Sequence, residues 1–212
     1  METYAALRRR RMVRAFEDRD IDDAALLRVI EAGRHAPSAG FTQGVDLLVL
    51  REPAERQVFW QAETDEEWRR RNPIHEGTRR APAIVIPLTG PAPYTRRYSE
   101  PDKADSGLSE EAAWPVPFWW VDGGMAVMAM LVAAVDEGLG ALFTGVFHGE
   151  GRVREAFAVP PELHVIGALL LGWPAPDRPS PSLARGRRAL GQQVHAGRYG
   201  APFDGSVDAG PA

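Results

Sequence analysis

Apolar residues recur at helical spacing through Leu26, Val29, Ile30 and Gly33, directly after Asp22, and the pattern stops at His35-Ala36-Pro37. An aspartate accepts hydrogen bonds from the free N–H groups of a first helical turn and a proline cannot continue a helix. A helix over about 22–35 is therefore expected. Two short β-rich runs, 45–50 and 83–86, read as buried strands. The stretch between them holds Trp60, Trp68 and Arg69-Arg70-Arg71 and reads as an amphipathic helix followed by a loop. The most apolar stretch, 118–137, predicts a helix that Gly138-Leu139-Gly140 ends. Being apolar on nearly all faces, it needs partners all round, at the centre of the domain or of a dimer. Leu142-Phe143-Thr144 predicts a strand, about 150–157 a helix, and 164–171 a last strand that stops at Gly172-Trp173-Pro174.

With 212 residues, 44% of them hydrophobic, the chain can bury one sizeable core, and a single domain over 1–212 is the expectation. About 60–117 is its variable part, a lid or insertion. Within it 87–117 is rich in proline, tyrosine and charge, and Tyr94, Tyr98 and Trp114 favour an ordered lid. From about 175 onward a Pro- and Arg-rich stretch is too polar for a core of its own and reads as an extended tail. A net charge of −4 gives no footprint for nucleic acid or an anionic membrane. The basic opening runs into Glu17-Asp18-Arg19-Asp20 rather than an apolar stretch, and the longest apolar run, 125–135, is short of a membrane span. These features read as a soluble, cytoplasmic protein.

The absence of cysteine removes thiolate catalysis, iron–sulfur clusters and cysteine-bound zinc, so redox chemistry would need a bound cofactor. Lys103 is the single lysine and sits in a Pro- and Asp-flanked loop where nothing desolvates it, which argues against a Schiff base. His35, His75, His148, His164 and His195 are too scattered for a metal site, and no G-x-S-x-G elbow occurs. Three segments remain. Arg8-Arg9-Arg10-Arg11 with Arg14 gathers guanidiniums that can neutralise a phosphate, or forms a solvated basic face. Pro37-Ser38-Ala39-Gly40 offers small residues and backbone donors for a flat ring, or simply stops a helix. In 138–147 the glycines follow a helix and lead into a strand, the reverse of the dinucleotide-binding fingerprint, so Rossmann-type NAD binding is not supported.

In this order, and with Arg185-Gly186-Arg187-Arg188 near the other end, the segments resemble the nitroreductase-like FMN-dependent oxidoreductase family. Its usual entry is Arg-Arg-Ser-x-Arg-x-Phe followed by A-P-S-x-x-N-x-Q-P. The resemblance implies an α+β sandwich, a central mainly antiparallel sheet flanked by helices, and an intertwined homodimer with exchanged C-terminal tails. It places Arg10, Arg11, Met12 and Arg14 on the N-terminal FMN motif and Arg187 or Arg188 on the C-terminal one. Pro37, Ser38, Ala39, Gly40, Phe41 and Gln43 would pass beneath or beside the flavin ring, partly from the neighbouring subunit. The backbone of Thr144 and Gly145 would lie near the reactive flavin nitrogen. Phe41 stands where Asn is common, Gly44 where Pro is usual and Met12 where Ser is usual. An aromatic at 41 would stack instead of hydrogen bonding. Trp114 and Phe118 are candidate caps over the ring, with Trp119 and Trp120 as core anchors. His148 faces substrate or solvent.

The activity implied is reduction of a nitroaromatic, quinone or enone acceptor by NAD(P)H through FMN, in a ping-pong cycle that needs no perturbed acid or base. A flavin store or sensor without turnover stays open, as does deazaflavin as donor or ligand. The flavin-fragmenting branch that makes the lower ligand of vitamin B12 is a more distant alternative. It carries Asp and Ser where this chain has Met12 and Gly145.

Overall fold

Asp22 caps the second helix as expected, its side chain accepting from the N–H groups of Ala24 and Ala25. The computed structural model describes residues 2–64, 66–71 and 73–203. Its elements are α1 (Thr3–Arg9), α2 (Asp23–Arg34), β1 (Val45–Leu50), α3 (Pro53–Ala62), α4 (Glu66–Arg71), β2 (Ala83–Thr89), α5 (Pro91–Tyr98), α6 (Phe118–Asp136), β3 (Gly140–Thr144), α7 (Glu150–Ala156), β4 (His164–Val165) and β5 (Ala168–Gly172). The loop expected after the helix at 53–62 contains α4 and a 3-10 turn over Pro73–Arg80. The side chains of Trp68, Arg69 and His75 lie outside the described set.

The sheet runs β1-β2-β5-β3, with β4 beside the far end of β2, and every pairing is antiparallel. This is an α+β arrangement with a central antiparallel sheet flanked by helices. Side chains alternate between its faces. Ile84, Ile86 and Leu88 of β2 and Leu170 of β5 join Phe16, Leu50, Phe59 and Val153 beneath α3 and α7. Val85, Leu169 and Leu171 point the other way, onto Val29, Val127, Met130 and Leu131 of α2 and α6. Each such side chain removed from water contributes about 1.5–3 kcal/mol.

Three expectations need correction. The strand over 164–171 is two strands. Ile166 donates its N–H to the Pro87 carbonyl (3.0 Å), but Pro87 has no N–H to return, so the ladder breaks and resumes at Ala168. The run 45–50 is an edge strand, buried only at Leu50, because β2 covers one side of it alone. Trp120 is exposed against His164 rather than anchored in the core, while Trp119 is buried.

The helix α6 is long and apolar enough to cross a membrane by length and composition. It serves here as a core helix: Trp119, Asp122, Gly123, Ala126, Val127, Met130, Leu131 and Ala134 are buried. Its other face, with Val121, Gly124 and Met128, is open. The segment 87–117, expected as a lid, packs against α6. It carries α5 and folds onto a third cluster of Tyr94, Trp114 and Trp119, with Tyr98 and Leu108 alongside.

The chain divides into two compact units, with the second starting at Arg178. Residues 178–203 form two short 3-10 turns, Pro181–Arg185 and Leu190–Gln192, and none of these residues is buried. The end of the tail, 204–212, lies outside the described residues.

Candidate functional site

Pro37 ends α2, and the chain then doubles back through Ser38 to Gln43. Four side chains lock this turn. Ser38 Oγ accepts the Gln43 N–H (2.9 Å), Thr42 Oγ1 donates to the Ala39 carbonyl (2.5 Å), Asp122 Oδ2 accepts the Ala39 N–H (2.9 Å), and Arg97 Nε donates to the Gly40 carbonyl (2.9 Å). Gly40, Phe41 and Gln43 have φ of 60°, 55° and 53°. The left-handed region suits Gly40 but strains the other two. Phe41 projects outward, 75% exposed. At Gly44 a Cβ would sit 2.5 Å from Cε2 of the fully buried Tyr94, which excludes the family's proline there.

Asp122 is the hub beneath the turn. It is 2% exposed, and the oxygen that holds Ala39 also accepts the Tyr94 O–H (2.8 Å). Its Oδ1 meets no donor among the described residues. Burial, then the bond to Asp122, pushes the Tyr94 phenol well above the ordinary tyrosine range. Beside the turn opens a cleft of about 240 Å³ whose polar lining includes Ser38, Gln43, Asp46 and Asp122.

The arginine-rich entry is placed elsewhere. After α1 the chain is sewn to the sheet by Val13 N–H to Ala141 O and Glu17 N–H to Trp173 O, and Ala175 N–H donates to Ala15 O. Met12 bridges Ala141, and the Phe143 N–H points at its sulfur (3.5 Å). Asp177 pins this segment. One oxygen accepts from Arg11 Nη1 (2.6 Å) and the other from the Arg14 N–H (2.7 Å). Burial raises the Asp177 carboxyl, but the Arg14 N–H and the Arg11 guanidinium outweigh it and hold the group below the usual carboxylate range. Arg14 Nη1 turns back to the Met12 carbonyl (3.3 Å) and Arg10 is half-buried. Arg187 and Arg188 belong to the second unit, where Arg188 donates to the Gln192 carbonyl.

Strand register relates the motifs. Val45 pairs with Thr89 and Thr144 with Ala168, so the turn before β1 and the Thr144–Gly145 loop share one end of the sheet. Gly140 pairs with Gly172 at the opposite end, where the arginine segment is anchored and lies beyond the other edge. Four strand spacings across and a strand length along put the arginines on the order of 20 Å from the turn of the same chain.

A Cβ on Gly145 would fall 2.2 Å from the Phe147 ring, which is 87% exposed, and His148 is exposed next to it. Trp114 is not an open cap. It is 8% exposed, in edge contact with Tyr94, Tyr98 and Trp119, and its indole N–H binds the Leu108 carbonyl. Phe118, tilted against Trp114, keeps an exposed face. Among the described residues no cluster of three or more His, Asp or Glu is placed to hold a metal.

Sequence reasoning missed Asp122, Arg97 and Asp177, and it read Tyr94 only as a lid aromatic. Asp122 had a visible signal, as the only charged residue between Phe118 and Val135 in a helix destined for burial. The other three act through contacts that only the tertiary fold creates.

The model of the Nitroreductase family matches residues 7–173. A curated protein of Methanothermobacter thermautotrophicus, described as a "Putative NADH dehydrogenase/NAD(P)H nitroreductase", is 26% identical over 82% of this chain and 78% of its own length. A solved structure from Desulfovibrio desulfuricans, described as "a putative nitroreductase in complex with fmn", is 25% identical and superposes with a TM-score of 0.66 over 92% of this chain and 95% of that one. The structure of B. megaterium NfrA1 has the same fold at 16% identity, with a TM-score of 0.73 over 94% of this chain and 75% of that one. The arginine entry, the locked turn and the central apolar helix all lie within the matched span, and the chain belongs to the nitroreductase family.

Proposed function

We propose that the protein is an FMN-dependent NAD(P)H oxidoreductase of the cytoplasm that works as a homodimer. The observation that carries this reading is the locked turn at 38–43. It presents small residues and a polar cleft at the sheet end shared with Thr144 and Gly145. The residues present fit FMN: a guanidinium cluster for its phosphate, and a turn and glycine loop that let a flat ring approach backbone. Arg10 and Arg14 would hold the phosphate, while Arg11 is committed to Asp177. Ser38, Ala39, Gly40 and Gln43 would flank the ring, and the backbone of Thr144 and Gly145 would face its reactive nitrogen. When bound, FMN supplies a two-electron relay from NAD(P)H to a nitroaromatic, quinone or enone in a ping-pong cycle. The chain's own contribution is positioning: Asp122 and Arg97 fix the turn before any ligand arrives, so little reorganisation accompanies binding.

Two features support the homodimer. The arginines and the turn of one chain lie at opposite edges and ends of the sheet, so two copies joined about a two-fold axis would bring one chain's arginines to the other's turn. The open face of α6, with Val121, Gly124 and Met128, and Leu27 on α2 offer apolar surface for that contact.

The test is the visible spectrum of the purified protein, followed by anaerobic NADPH and then NADH. A yellow protein bleached by either nicotinamide supports the reading. One that stays oxidised favours a storage role or another donor, and a colourless protein that takes up no FMN refutes it.

A further inference from the structure

Phe41 is a large apolar side chain held in an unfavourable backbone region and turned into solvent. Its φ of 55° is one that Asn or Gly adopts at little cost and a phenylalanine does not. Its ring is 75% exposed, so it adds little to the core. The support beneath it is nonetheless rigid. Arg97 holds the Gly40 carbonyl while its two terminal nitrogens fork onto Asp102 (2.7 and 2.6 Å), and Asp122 holds the Ala39 N–H. Tyr98 closes the other side, its ring 2.8 Å from where a Cβ on Gly40 would lie. A strained residue on a fixed mount that gives nothing to the fold is explained by contact with something that binds there.

A phenyl face offers dispersion and an aromatic quadrupole but no hydrogen bond, and therefore selects a flat ring. Ser38 and Gln43 of the same turn, with Asp46, line the neighbouring cleft and offer polar groups to the edge substituents of such a ring. We propose that Phe41 is a specificity-determining residue that stacks on planar aromatic electron acceptors. This rests on the flavin reading of the same turn, and it assigns Phe41 to the acceptor rather than to the cofactor.

The experiment uses FMN-loaded protein and two acceptors: menadione, a flat quinone, and ferricyanide, an octahedral ion with no ring to stack. Phe41→Asn fits the left-handed turn and removes the phenyl ring, so folding is preserved, and Phe41→Trp keeps an aromatic face. The ratio of kcat/KM for menadione to that for ferricyanide should fall roughly three- to tenfold in Phe41→Asn, mainly through KM, and be retained in Phe41→Trp. The assignment is overturned by an unchanged ratio, by equal losses with both acceptors, or by an effect confined to reduction by NADPH. It is also overturned if Phe41→Asn releases FMN or changes the mass of the particle in solution. A parent protein that binds no FMN defeats the flavin reading and this assignment with it. A flavin-loaded parent whose acceptor preference ignores residue 41 defeats the stacking assignment alone.

Discussion

Replacing Asp122 by alanine removes the acceptor shared by the Ala39 N–H and the Tyr94 O–H. Each is a hydrogen bond to a carboxylate in a buried setting, and such bonds contribute about 1.5–3 kcal/mol. The gross loss is therefore about 3–6 kcal/mol. Part of this is offset, because Oδ1 has no donor among the described residues and its unsatisfied burial costs about 1–3 kcal/mol, which the mutation relieves. The net expectation is a destabilisation of about 2–3 kcal/mol, a fall in Tm of roughly 4–12 °C for a chain of this size. Asp122→Asn should behave differently. Its carbonyl oxygen can take over both accepting roles while the amide nitrogen occupies the unpartnered position, so the cost should stay within about 1 kcal/mol. Urea unfolding of the parent and both variants measures this directly, with the double variant Asp122→Ala/Tyr94→Phe giving the coupling between the two residues. If Asp122→Asn is as damaging as Asp122→Ala, the hydrogen-bond account is wrong and the negative charge itself matters. If Asp122→Ala costs under about 0.5 kcal/mol, the turn is held by something else.

Three further outcomes are expected. The Tyr94 phenol is held above its ordinary value of about 10, so the unfolded chain gives up this proton first; stability present below about pH 10 should be lost as pH rises above it, and Tyr94→Phe should flatten that alkaline fall in Tm. Gly44→Ala forces a Cβ against a tyrosine with no room to retreat, and calorimetry should show a loss of about 1–3 kcal/mol. Arg14→Ala should weaken FMN retention by about 1.5–3 kcal/mol, roughly ten- to a hundredfold in Kd by fluorescence titration, and full occupancy in that variant would remove Arg14 from the phosphate site.

The elements whose signals are local were legible in the sequence. Asp22 caps, Pro37 stops and Gly138, with φ of 75°, terminates α6, all as read from residue type and spacing. The break at Ile166 and Gly167 was not legible. It follows from the missing N–H of Pro87 on a neighbouring strand about eighty residues earlier in the chain. For the candidate site, the turn at 38–43 was found by its small residues, but its support was not. Asp122 comes from the far helix, Arg97 from α5, and Asp177 lies 166 residues from Arg11. Trp114 was misplaced for the same reason. An aromatic in a proline-rich segment reads as a lid until Tyr94 and Tyr98 are seen to fill its edges.

The stitching of residues 13–17 to Ala141, Trp173 and Ala175, with Arg11 and Arg14 pinned by Asp177, also governs the order of assembly. During synthesis these residues are made well before most of their partners, Asp177 following Arg11 by 166 residues. The bonds to Trp173, Ala175 and Asp177 therefore form only once those residues have been made, and docking the segment closes contacts of very long sequence separation. The sheet and its two helical layers can form beforehand, while Arg11 and Arg14 are fixed only when residues 173–177 close onto this segment. A chain cut short before Trp173 would lose the partners that set the register of its basic entry.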